Sequence, residues 1–110
     1  MTQETINEII KFRDDRNWKQ FHNPKDLAIS LNLEASELLE IFQWSADDLS
    51  CENKLDKIKE ELADVVSYCV LMADACGLDL DEIVREKVKK NNEKYPVEKA
   101  YGCKDKYTEL

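Results

Sequence analysis

The stretch "ENKLDKIKEELADVVSYCVLMADACG", residues 52–77, decides the fold. At 3.6 residues per turn it reads as one long helix from about residue 52 to Cys76, and Gly77 supplies the left-handed conformation that ends it. Within its apolar half stands Asp64, followed directly by Val65 and Val66. A buried lone carboxylate forfeits its solvation, so something must share its charge.

The rest of the chain agrees with a helical reading. Two glycines and two prolines in 110 residues leave few turn positions, which favours a handful of long helices over many short strands. Residues 3 to about 18 set Ile6, Ile9, Ile10 and Phe12 among charges, a short amphipathic helix with Thr2 as its cap. Asn23 is an N-cap with Pro24 at the first helical position, so a second helix is expected from 24 to about 44. That helix is apolar on more than one side and should be surrounded by protein. "SADDLSCEN" at 45–53 forms the break before the third helix. Asp79 followed by Glu82 makes a capping box for a fourth, ending near Tyr95 and Pro96. The tail from 97 to 110 has no helical period and is expected to be extended or packed over a neighbour. The fold class is all-α, of the four-helix-bundle type.

At 43% hydrophobic the chain has the apolar surface of one small globular domain. Its formal charge of −8 argues against a nucleic acid polymer as partner, since such modules gather lysine and arginine on one face. No signal-peptide pattern and no apolar run of about 20 residues are present, so a cytoplasmic protein with no membrane association is expected. Cys51, Cys69, Cys76 and Cys103 form no CxxC pair and read as reduced thiols, Cys69 and Cys76 as packing residues on one helix face. Four short helices bury a modest core, and two carry more apolar surface than a lone bundle can cover; a homo-oligomer is expected.

The answer to Asp64 lies in its spacing. The second helix holds Glu34 and Glu37, the third Glu61 and Asp64, each pair three residues apart and about 60° around its axis. The same faces reach Trp44 on the second helix and Tyr68 on the third. If the two helices pack antiparallel, four carboxylates converge, and their repulsion raises their pKa values unless a cation intervenes. All-oxygen ligands favour a hard divalent ion, Mg²⁺ or Mn²⁺, which also takes phosphate oxygens. A di-iron bundle would want Glu-x-x-His motifs, and the one histidine, His22, lies in a connector. The competing reading is solvated faces or salt bridges, to which Glu40, Asp56, Glu60 and Asp74 are assigned. On the fourth helix Lys87, Asn91 and Lys94 share a face suited to phosphate oxygens. Trp18, Phe21 and His22, with Trp44 and Tyr68, could box a nucleobase, although each ring taken singly is more often core.

The acids read ExxE ("EASE", 34–37), 23 residues, then ExxD ("ELAD", 61–64). With "NWKQFHNPKDLAISL" at 17–31, "ELLEIFQW" at 37–44, "EELADVVSY" at 60–68 and "NNEKYP" at 91–96, this order resembles the MazG-like all-α nucleoside triphosphate pyrophosphohydrolases, and within them the dCTP pyrophosphatase branch. The resemblance spans about residues 9–96. It implies a domain at 1–96 with an extension at 97–110, assembled as an interwoven homodimer or a dimer of dimers. It implies Mg²⁺ held by Glu34, Glu37, Glu61 and Asp64. Trp18, Lys19, Gln20, Phe21, His22, Trp44 and Tyr68 match positions around base and sugar, and Lys87 and Asn91 match phosphate-side positions. The implied reaction cleaves dCTP, or a related or modified pyrimidine deoxynucleotide, between the α and β phosphates, releasing monophosphate and pyrophosphate as nucleotide-pool cleaning. Glu37 is the carboxylate expected to take the proton of the attacking water. Leu33 and Ser36 depart from the glycines common beside the first acids, which bears on nucleotide preference. The rival expectation is a non-enzymatic helical oligomer that binds partners through its apolar faces.

Overall fold

In the computed structural model, which describes residues 1–110, every regular element is helical, as the sequence predicts. The elements are α1 (Gln3–Asp15), α2 (Pro24–Glu40), α3 (Leu55–Cys76), α4 (Leu80–Lys94) and one short turn of helix, α5 (Val97–Ala100). Single 3-10 turns cover Lys19–Phe21, Glu52–Lys54 and Tyr107–Glu109. No helix is long and apolar enough to cross a membrane. The chain divides into two compact units, Met1–Gly77 and Leu78–Leu110.

In the first unit α2 packs along α3, and α1 also packs on α3. Each start is fixed by a side chain. Thr2 accepts from the Thr5 amide at 3.3 Å, and Asn23 Oδ1 accepts from the Asp26 amide at 2.9 Å with Pro24 at the first helical position. Gly77, at φ +66°, ends α3 where a side chain would be strained. Leu27, Ile41, Val70, Leu71 and Ala73 are the buried apolar residues of these helices and their margins.

The second helix stops at Glu40 rather than about 44. Phe42 and Gln43 donate to the carbonyls three residues back, Leu39 and Glu40, at 3.0 and 3.1 Å, which tightens the chain into turns. A cross-link from later sequence keeps it there: Lys54 Nζ donates to the Ile41 carbonyl at 3.1 Å. Between these points Cys51 takes φ +47°, a left-handed conformation that costs a non-glycine residue about 1–2 kcal/mol. The wholly buried side chain and the bond from its amide to Asp48 Oδ1, 3.0 Å, offset that cost. The regular part of the third helix therefore begins at Leu55.

Two further expectations are corrected. α2 is not surrounded by protein within one chain: Leu27 is its buried residue, while Ile29, Leu33 and Leu39 are exposed. Cys69 is half-buried but Cys76 is exposed, so the two do not form a packing pair; all four thiols are free, as expected.

In the second unit Asp79 Oδ1 accepts from the Glu82 amide at 3.0 Å and starts α4, as the capping pattern predicts. The tail is not wholly extended. The Pro96 carbonyl accepts from the amides of Lys99 and Ala100, at 3.0 and 2.9 Å, and so nucleates α5. Tyr107 then meets Tyr95 edge-on, 6.0 Å between centroids, with Lys94 Nζ 4.9 Å above its ring.

Candidate metal centre and its cavity

Helical spacing places Glu34 and Glu37 on α2 and Glu61 and Asp64 on α3, and the packing of those two helices brings the acids together. One carboxylate oxygen from each of Glu34, Glu61 and Asp64 lies within 4.8 Å of the other two. Glu34 Oε2 and Glu61 Oε2 are buried with no hydrogen-bond partner, an omission worth about 1–3 kcal/mol per group. None of the chain's three ion pairs involves any of these acids, so no lysine or arginine lies in direct contact with their oxygens. The salt-bridge reading loses its support at this cluster.

The electrostatics agree. Burial, then the adjacent carboxylate of Glu37, then the charges of Asp64 and Glu61 push the Glu34 pKa up to about 7. Burial and Glu37, followed by the charges of Glu37, Asp64 and Glu60, raise Glu61 as well. Glu37 is thus the neighbour whose carboxylate acts on both, although it stands outside the group of three close oxygens. Oxygen-only donors, two of them unpartnered, fit a hard divalent cation that would take up the excess charge.

Glu34 and Asp64 also line a cavity of about 420 Å³, within the usual range for small-molecule sites. Trp18, His22 and Tyr68 line it too. Tyr68 reaches it because it stands one turn beyond Asp64 on α3. Trp18 and His22 are set by the intervening 3-10 turn, in which Phe21 donates to the Trp18 carbonyl at 2.9 Å and His22 to that of Lys19 at 3.0 Å. The Trp18 ring packs edge-on against Phe12, 5.8 Å between centroids, and the Arg16 guanidinium lies 3.7 Å over the Phe12 ring. Burial, then the charge of Arg13, lowers the His22 pKa, and its Nδ1 is buried without a partner. A neutral imidazole facing a cavity can both donate and accept. Glu37 and Glu61 border a second cavity of about 310 Å³ with Lys54 and Lys57, so the acids front two spaces.

Other expected residues of the first unit lie outside the aromatic cavity. Trp44 and Phe21, 85% and 62% exposed, do not line the aromatic cavity. Lys19 and Gln20 are exposed, and Gln20 Nε2 turns back to the Asn17 carbonyl at 2.9 Å. Lys87 and Asn91 lie one turn apart on α4, in the second unit. Sequence reasoning missed Arg13, which is buried in the wall of the aromatic cavity, and Lys54 beside the second. Arg13 stands in "KFRDDR", where nothing local separates it from solvated neighbours.

The profile of the MazG-like family matches residues 29–110. The dCTP pyrophosphatase 1 proteins of Mus musculus and Homo sapiens are each 37% identical to the chain over 105 residues, covering 91% of it. The chain spans 62% of the length of these curated relatives. A solved pyrophosphatase from Archaeoglobus fulgidus DSM 4304 is 38% identical and superposes with a TM-score of 0.79, over 86% of this chain and 91% of that one.

Proposed function

This chain belongs to the MazG-like family, and from that premise we propose that it is a Mg²⁺-dependent nucleotide pyrophosphohydrolase. Its substrate is a deoxynucleoside triphosphate, dCTP or a related or modified pyrimidine, cleaved between the α and β phosphates to monophosphate and pyrophosphate in the cytoplasmic nucleotide pool. The observation that carries this reading is the trio of close carboxylate oxygens, two residues of it with buried unpartnered atoms, at the wall of a nucleoside-sized cavity. Relatives named for dCTP support the choice of base.

Glu34, Glu61 and Asp64, with Glu37 beside them, would hold the ion. When bound, Mg²⁺, with Mn²⁺ as a substitute, neutralises phosphate charge and acidifies water. Glu37 takes the proton of the attacking water, a role supported by its place beside both Glu34 and Glu61, whose pKa values it raises. Tyr68, Trp18 and His22 hold sugar and base and exclude water from that end of the cavity. Lys19, Gln20, Phe21 and Trp44 complete the nucleoside surround, and Lys87 and Asn91 are assigned to phosphate oxygens on their chemistry. The working form is a homodimer or a dimer of dimers, which covers the exposed apolar positions of α2 and α3.

The alternative, a helical oligomer without activity, gives no reason for burying unpartnered carboxylate oxygens. Incubating the folded chain with each deoxynucleoside triphosphate and Mg²⁺, and reading monophosphate and pyrophosphate, tests the choice. Turnover led by dCTP is expected, with Asp64→Asn or Glu61→Gln reducing kcat by about 100-fold or more, since ion-held charge contributes several kcal/mol. No turnover of any nucleotide by the folded protein sinks the enzyme reading.

A further inference from the structure

Arg13 is a buried cation that the chemistry above leaves unused. It is 3% exposed, yet it lines the same cavity as Glu34, Asp64, Trp18, His22 and Tyr68. Two of its three nitrogens are engaged: Nε donates to Asp14 Oδ1 at 2.9 Å and Nη1 to Asp74 Oδ2 at 2.6 Å. Burial alone would weaken its hold on the proton, but the hydrogen bonds and charges of Asp14 and Asp74 outweigh it, so the group stays a guanidinium. Nη2 makes no hydrogen bond within the chain, so its two N–H donors are free for a ligand.

Charge and position decide what that is. One guanidinium between two carboxylates is a cluster of net negative charge, unsuited to a triphosphate but able to donate to a neutral acceptor. Helix α3 supplies the ruler. Asp64 and Asp74 are ten residues apart, about 15 Å along the axis, with Tyr68 about 6 Å from Asp64 along the same axis. The bond to Asp74 therefore fixes Arg13 at the end of the cavity remote from the acids. A nucleotide whose phosphates met those acids would lay its sugar beside Tyr68 and turn the far edge of its base toward Arg13.

Resting on the nucleotide reading above, we propose that Arg13 Nη2 donates to the acceptor edge of a cytosine ring, O2 and N3, and thereby determines which pyrimidine is accepted. Cytosine N3 is an acceptor. In uracil and thymine N3 carries a proton, which would face Nη2 donor to donor in a buried place. Asp14 and Asp74 act as positioning residues that fix the plane of the guanidinium.

The test compares the unmodified chain with Arg13→Met, and with the double variant Arg13→Met/Asp74→Leu, which exchanges the ion pair for an apolar contact should the single change unfold the protein. Two readouts are used: the ratio of kcat/KM for dCTP over dUTP with Mg²⁺, and metal-free binding of dCMP and dUMP followed by Trp18 fluorescence. A dCTP preference in the unmodified chain that collapses by about 10-fold or more in a folded variant, with a parallel loss of dCMP over dUMP selectivity, is the expected result. A fall shared equally by both bases assigns Arg13 to holding α1 on α3 and overturns the proposal. So does equal use of dCTP and dUTP by the unmodified chain. An unmodified chain that neither turns over nor binds any of these nucleotides overturns the nucleotide reading with it, whereas preserved selectivity in the variant overturns only the role of Arg13.

Discussion

At the scale of the residue, the conflict that the sequence announces at Asp64 falls on its neighbours instead: Asp64 is exposed, whereas Glu34 and Glu61 are half-buried, each with a buried, unpartnered oxygen. The Glu34 carboxyl keeps its proton to about pH 7 in the folded chain, against an ordinary value of 4.5. Proton binding therefore favours folding, a contribution complete below about pH 4.5 and lost as the pH rises through about 7. His22 works with the opposite sign: its lowered pKa stabilises the neutral form, and that gain fades as the pH falls. The difference between Glu34→Gln and its parent isolates the first effect. Without metal the two should melt alike near pH 5, and the variant should melt higher by about 4 °C or more at pH 8. Adding Mg²⁺ should reverse the order at pH 8, because the ion needs the ionised carboxylates that the variant lacks. A variant that melts lower than its parent at pH 8 without metal would mean that the cluster is not repulsive.

Helix α2 shows what a single element contributes and how much of it can be read from sequence. Its start is wholly local: Asn23 and Pro24 announce it and the structure places the cap there. Asn23→Ala removes the 2.9 Å bond to the Asp26 amide and should lower stability by about 1 kcal/mol, seen as a lower urea midpoint and faster amide exchange in the first turn around Leu27. Glu34 and Glu37 lie two to three turns further on, so the rise in Tm caused by Mg²⁺ should be unchanged. An equal loss of that rise would show that the acids depend on the helix start. The other caps, Thr2, Gly77 and Asp79, are legible for the same reason, since each acts within four residues. The end of α2 is not. It is set by Lys54 reaching the Ile41 carbonyl and by a left-handed Cys51 tied to Asp48, contacts with no periodic signature. The site divides in the same way. Glu34, Glu61 and Asp64 follow from spacing on two helices, whereas Arg13 acquires its meaning from Asp74, 61 residues away, and reads locally as one more solvated charge.

For the whole molecule the telling quantity is apolar surface left in water. Ile29 and Leu33, one turn apart on α2, and Leu62 on α3 are each about half exposed or more, and Leu39 is 70% exposed. Exposed apolar residues occur along the whole chain and are ordinary taken singly, but Ile29 and Leu33 share one side of α2, about 40° apart around its axis, and the proposed homo-oligomer gives that side a cover. Self-association through that side would account for α2 reading from sequence as a helix enclosed by protein while one chain leaves it open. The proposal can be tested with charges that a monomer would tolerate. In a lone chain Ile29→Lys and Leu33→Lys sit at the surface and should change stability by no more than about 0.5 kcal/mol each. In a dimer the same pair forces two ammonium groups into an apolar contact, where each must be paired or expelled. Sedimentation of the unmodified protein at about 50 µM should give two or four chains, with a Tm that rises with concentration. The double lysine variant should sediment as one chain and lose that dependence. A single-chain mass for the unmodified protein, or an unaltered assembly in the variant, would place the interface elsewhere or remove it.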